Sequence, residues 1–160
     1  MSVQKTNVMR ILDSAHITYN TYTYDSKGGA IDGVSVAAKI GQPVERVYKT
    51  LVTRGASKNF FIFVIPVSKE LNLKAAAKAV GEKSVEMIKM DEINKVTGYI
   101  RGGCSPVGMK KDYRTVIDSS CQNVETMIFS AGKIGFQVEV APQELIGFIK
   151  AGVETVAEQQ

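Results

Sequence analysis

The stretch VYKTLVTR-GASK-NFFIFVI, residues 47–65, decides the fold class of this chain. Two runs of β-branched and aromatic residues flank a turn, Gly55-Ala56-Ser57-Lys58, and predict a hairpin of Val47–Arg54 with Asn59–Ile65. The second run is apolar at every position from Phe60 to Ile65, which suits a strand buried on both faces at the centre of a sheet. The first run alternates: Val47, Lys49 and Leu51 share one face, and Tyr48, Thr50 and Val52 share the other. A lysine between two aliphatics has two readings. It snorkels from a strand edge, or its ammonium points into a lined pocket, where it would hold a phosphate or a carbonyl oxygen or serve as a base.

Working outward, Val8, Ile11, Leu12 and Ala15 recur at helical spacing and predict an amphipathic helix over 6–15. Thr18–Tyr24 reads as a strand and Ser26-Lys27-Gly28-Gly29 as a loop. A helix follows over Val34–Ile40, stopped by Gly41, and Pro43 opens a further helical turn. Beyond the hairpin, the Ala-rich residues 72–80 predict a helix closed by Gly81. Ser84–Ile88 reads as a short strand, Asp91–Thr97 as a helix and Tyr99–Arg101 as extended chain. Strands are expected over 113–118, 126–130 and Phe136–Val140, with a last helix from Pro142 to Ala151. Helices and strands mix without strict βαβ alternation. That predicts an α+β fold: a single domain over residues 1–152, with a mixed, mostly antiparallel sheet flanked by helices. The polar residues 153–160 are expected to fray.

A chain of 160 residues with 44% hydrophobic and 22% charged residues suits one folded domain with a sizeable core. Its longest apolar run, Phe60–Ile65, is far short of the roughly 20 residues that cross a bilayer. No export signal is visible and the two cysteines, Cys104 and Cys121, suit a reducing compartment, so a cytoplasmic location is expected. The single histidine, His16, leaves no metal-ligand pattern of clustered Cys and His, and any Ser-His-Asp or Cys-His hydrolase would have to run through it. Neither cysteine has a histidine near it in sequence, which argues against a nucleophilic thiol. Hydrolysis by this chain would therefore rest on positioning, cations and backbone dipoles, with no metal or cofactor expected. The net charge of +4 is compatible with an anionic partner without requiring one.

The least ordinary loop is Gly102-Gly103-Cys104-Ser105-Pro106-Val107-Gly108. Three glycines and a proline in seven residues read either as a tight turn or as a constrained row of N–H groups that would bind an anion or a developing oxyanion. Arg101, Lys110, Lys111 and Arg114 flank it with one acid, Asp112, among them. That cluster is either a solvated face or a track for a nucleic-acid backbone. Ser130 precedes Ala131-Gly132-Lys133, where a hydroxyl commonly stabilises a turn.

Taken together, Val47–Leu51, Leu71-Asn72-Leu73-Lys74, Val85-Glu86-Met87, Thr97-Gly98-Tyr99, Gly102–Lys111 and Ser130–Lys133 resemble, in order and spacing, the YbaK family of bacterial Cys-tRNA(Pro) deacylases. The resemblance runs from Lys5 to Gly152 and extends to the editing domain of bacterial prolyl-tRNA synthetases. It implies a barrel-like sheet, and hydrolysis of the ester joining a wrong amino acid to the 3′ end of a tRNA, tRNA(Pro) above all, with prolyl-tRNA synthetase as a candidate partner. It implies that Lys49 is the central site residue, with Gly102 supplying main-chain donors. It also implies that Tyr24, Thr50, Pro106 and Ser130 line the substrate site; Gly103, Ser105 and Gln137 beside them are expected to bind substrate, and Arg101, Lys110, Lys111 and Arg114 to steer RNA by their charge. The chain departs from several members at Gln137, where they carry an acid. Two other readings stay open: a non-catalytic module that binds aminoacyl-tRNA or a synthetase, and an esterase or thioesterase acting on small molecules.

Overall fold

The computed structural model describes residues 5–26 and 31–159, so residues 27–29 of the predicted Ser26–Gly29 loop lie outside the described residues. In chain order the elements are α1 (Asn7–Ser14), β1 (Asn20–Thr23), α2 (Gly33–Ile40), β2 (Tyr48–Gly55), β3 (Phe60–Pro66), α3 (Leu73–Val80) and β4 (Val85–Met87). They continue with α4 (Ile93–Thr97), β5 (Arg114–Asp118), β6 (Met127–Ser130), β7 (Phe136–Val140), α5 (Pro142–Ile149) and β8 (Gly152–Glu154). Three helices start on the polar side chains that suit an N-cap: Thr6 accepts from the Met9 N–H, Asp32 from the Ser35 N–H and Asn72 from the Ala75 N–H.

The hairpin forms as predicted, with Lys49 opposite Ile65 and Thr53 opposite Phe61. It sits inside a five-stranded sheet of order β4-β2-β3-β5-β8, in which β5 runs parallel to both β3 and β8. A second sheet, β1-β7-β6, is antiparallel throughout. The two sheets touch through one isolated bridge, Val47 to Ile128. The barrel-like sheet is thus corrected to two open sheets joined at a seam. The core follows the hairpin. Phe61, Phe63 and Ile65 pack beneath α3, while Val64 and Tyr48 face the cluster built on α1, β6 and β7.

The expected frayed tail is a second correction. β8 pairs with β5, and Val156 and Ala157 are buried. Backbone bonds from Asn72 N–H to the Val156 carbonyl and from Glu158 N–H to the Glu70 carbonyl dock the tail, and Asp118 anchors it: one carboxylate oxygen accepts the N–H groups of Val156 and Ala157, each at 2.9 Å, and the other accepts that of Ser120. These bonds hold the Asp118 pKa below the usual carboxylate value although burial pushes it up. Among the described residues no helix is long and apolar enough to cross a membrane.

Candidate active site

The site begins as a gap in a sheet edge. Val67 N–H donates to the Val47 carbonyl and Gly55 N–H to the Asn59 carbonyl, so odd-numbered residues of β2 bond to β3. Even-numbered residues therefore present their N–H and C=O groups to the other edge, as the Ile88 N–H bond to the Val52 carbonyl confirms. On that edge β4 pairs only with Thr53–Gly55, and β6 reaches only Val47. The main chain of Thr50 faces the interval between them.

A cleft of about 630 Å³ opens along this interval. It brings together Tyr24, Lys49, Thr50, Arg101, Gly102, Ser130 and Gln137 from the predicted set. Lys49 leaves β2 on the face opposite Thr50, yet both line the cleft, because the cleft opens at the strand edge. The two readings of Lys49, edge and pocket, thus describe one place. Among the described residues no hydrogen bond or ion pair engages its ammonium, and Thr50 Oγ1 is buried without a partner. An unpaired hydroxyl lining a cleft is a group that a ligand can satisfy.

The glycine loop reaches the cleft through Gly102, whose φ of 87° lies in the left-handed region. Gly103 N–H donates to the Ile100 carbonyl at 3.0 Å, so that donor is used inside the turn. The amides of Gly102 and Cys104 have no protein acceptor among the described residues, and both residues line the cleft. Tyr99 fixes the loop against the Ser130 turn. Its hydroxyl donates to the Val107 carbonyl, and a Cβ on Gly132 would come within 3.0 Å of its ring. On the turn itself, Ser130 Oγ accepts the Gly132 N–H at 3.1 Å.

Other members of the predicted set lie outside the cleft lining. Ser105 is buried and accepts the Val107 N–H, and Pro106 is buried with it, so both shape the loop from behind. Lys110 donates to the Lys95 carbonyl at the end of α4, and Lys111 is exposed. Arg114 donates to the carbonyls of Val80 and Ala79, closing the C-terminus of α3. His16 is exposed just past α1 and lines no part of the cleft.

The sequence reading missed four kinds of cleft residue. Asp32 lines it while capping α2, which holds its carboxyl pKa below the ordinary range. Glu70 is an exposed carboxylate in the lining. Met87 and Met90 edge it with half-exposed thioethers. Cys104, with no histidine near it in sequence, also contributes to the lining. Burial pushes its pKa up to about 11, so it is a neutral thiol at physiological pH.

Residues 31–148, from the cleft's first wall to the last helix, match the family model "Aminoacyl-tRNA editing domain". The "Putative Cys-tRNA(Pro)/Cys-tRNA(Cys) deacylase EbsC" of Enterococcus faecalis is 42% identical over 89% of this chain and 87% of its own length. A proline–tRNA ligase of Fervidobacterium nodosum is 32% identical over 75 residues, which are 47% of this chain and 13% of that enzyme. Among solved structures, the hypothetical protein APE2540 superposes with a TM-score of 0.86 at 23% identity over 96% of this chain and all of that one. A "putative trans-editing enzyme for prolyl tRNA synthetase" gives 0.82 at 20% identity over 98% of this chain and all of that one. These structural likenesses establish a shared fold. With the family model covering most of the chain and a relative at 42% identity matched over most of its own length, the chain belongs to the aminoacyl-tRNA editing domain family.

Proposed function

We propose that this protein is a trans-acting aminoacyl-tRNA deacylase that removes a small amino acid, cysteine first, from the 3′ end of tRNA(Pro). The observation that carries this reading is the coincidence in one cleft of two free main-chain amides, an unpaired buried hydroxyl and an unengaged lysine. Ester hydrolysis passes through a tetrahedral oxyanion. The N–H groups of Gly102 and Cys104 would hold that oxygen, a contact worth ~2.7–4 kcal/mol per donor in other hydrolases. Thr50 Oγ1 and the Thr50 main chain would bind the ribose or the amino group. Lys49 would hold the terminal phosphate, with Arg101 at the rim. Lys110 and Lys111 would act only on the stem beyond.

Cys104 is not the nucleophile in this scheme, because a thiol pushed up to about 11 supplies almost no thiolate at neutral pH. The attacking group is then water, or the thiol of a cysteinyl substrate closing onto its own ester. The second route needs little activation beyond proximity. In the first, the water oxygen adds to the carbonyl carbon and gives up a proton, and the tetrahedral intermediate then collapses by breaking the bond to the ribose oxygen, which leaves protonated. In the second, a C–S bond forms and the ribose oxygen again leaves protonated.

The test is a deacylation panel: cysteine, alanine, serine and proline on tRNA(Pro), and cysteine on several tRNAs. Preferential release of cysteine from tRNA(Pro) is expected. Binding of charged tRNA with the ester left intact would favour a non-catalytic module, and salt-insensitive cleavage of simple esters a small-molecule esterase.

A further inference from the structure

We propose that Met87, Met90 and Ile93 form a shelf that takes the face of the terminal nucleobase of the acylated RNA end. The proposal rests on the deacylase reading and adds a base subsite to it. Most large apolar side chains of this protein are buried, but Met87 is 45% and Met90 62% exposed, and both edge the same cleft. Their position is fixed from two sides. Met87 is the register partner of Thr53 in β2. The Met90–Glu92 turn is tied back to β2 by the ion pair of Glu92 with Arg54, whose guanidinium also lies over the Phe60 ring. Ile93 continues the surface from the first turn of α4 into the cleft lining.

The spacing suits a nucleoside. Thr50 and Thr53 are three residues apart on β2, or about 10 Å. With the ester held near Thr50 and Gly102, the nucleoside as a whole covers that span, its ribose beside Thr50 and its base toward Met87. A cleft of 630 Å³ is of the size that encloses a whole small-molecule ligand, far more than one cysteinyl group needs. The base belongs to the same ribose as the ester, so it must lie beside the reacting centre. Thioethers are polarisable, adapt their shape and contact aromatic rings favourably, which fits an apolar purine face better than a charged group. The unengaged Lys49 and the exposed Arg101 supply the matching positive charge for the phosphate attached to that nucleoside.

The test has a binding arm and a kinetic arm. Protein carrying ¹³C-methyl methionine is titrated with adenosine 5′-monophosphate and, separately, with ribose 5-phosphate. The Met87 and Met90 methyl signals should move with the first and not with the second. Equal movement, or none at saturating nucleotide, overturns the shelf. In the kinetic arm, cysteinylated minihelices ending in adenosine or in an abasic nucleotide are compared on wild type and on Met87→Ala/Met90→Ala. The double variant should raise KM on the order of tenfold for the adenosine end and leave the abasic end unchanged. An equal loss on both ends, or no loss on either, overturns the proposal. If wild type cleaves neither substrate while adenosine 5′-monophosphate still moves the methyls, the deacylase reading fails and the shelf stands.

Discussion

Replacing Lys49 by methionine removes a charge and keeps the length of the stem. Because no hydrogen bond or ion pair holds the ammonium among the described residues, the substitution breaks no internal contact. Stability should stay within about 0.5 kcal/mol, as for substitutions away from the core, and the melting temperature within about 2 °C. Function should change far more. A hydrogen bond to a charged group contributes roughly 1.5–3 kcal/mol, so kcat/KM for cysteinyl-tRNA(Pro) should fall about 10- to 150-fold. The salt dependence identifies what the ammonium touches. If it holds a phosphate of the single-stranded end, the loss falls mainly on KM, and the slope of log kcat/KM against log salt becomes shallower by about 0.7. If it faces the oxyanion instead, kcat falls and the slope is unchanged. Lys49→Arg keeps the charge and should restore the slope. Wild-type kcat/KM in a folded Lys49→Met protein would refute the role assigned to this cation.

Cys104→Ala should retain hydrolysis within a few-fold. Its kcat/KM profile should overlay that of wild type below about pH 10, since the wild-type thiol, pushed up to about 11, is protonated throughout that range. A hundredfold loss would show that the sulfur reacts. Asp118→Asn should lower the melting temperature by about 4–16 °C, because an amide cannot accept all three N–H groups and a buried charged acceptor is lost, ~2–4 kcal/mol in total. The folded-state pKa of Asp118 is depressed, so its contribution is fully present above the unfolded value near 4 and is lost as pH falls through the folded value. The variant should therefore show less acid destabilisation below pH 4 than wild type, as followed by melting curves across that range.

What was legible in the sequence was local. The hairpin, the capped helices and the constrained glycine loop follow from alternation, spacing and turn chemistry within a few residues. The open edge of β2 was not, because it depends on where two distant segments stop: β4 at Thr53 and β6 at Val47. Nor was the docked C-terminus. Val153–Gln159 looks polar, and its acceptors lie far away in sequence: the Asp118 carboxylate takes the Val156 and Ala157 N–H groups and the Glu70 carbonyl takes that of Glu158. Arg114 sat in a basic run that suggested RNA, but two helix-end carbonyls lie within reach of its guanidinium. Met87 and Met90 lie inside a charged stretch, where only their exposure marks them as cleft residues.

The edge gap also accounts for what the cleft would admit. An exposed strand edge invites pairing with another strand, and proteins blunt it by covering or interrupting it. Here α2 and the seam with β6 close one end of the β2 edge at Val47, and the chain just past β4 closes the other at Val52, whose carbonyl takes the Ile88 N–H. Within that span the register leaves the peptide groups around Thr50 open, too short a run for a strand of ordinary length to add a ladder. What fits is a ligand with a few polar groups and its own internal shape. In the proposed function, the terminal nucleotide of an RNA, carrying one ester, would match that requirement: the ester carbonyl would meet the Gly102 and Cys104 amides, a hydroxyl or amine would meet Thr50, and the phosphate would meet Lys49. A folded duplex is too wide to enter. On this reading the acceptor stem stays outside, and discrimination among tRNAs falls to surface charges such as Lys110 and Lys111, whereas discrimination among amino acids belongs to the edge itself.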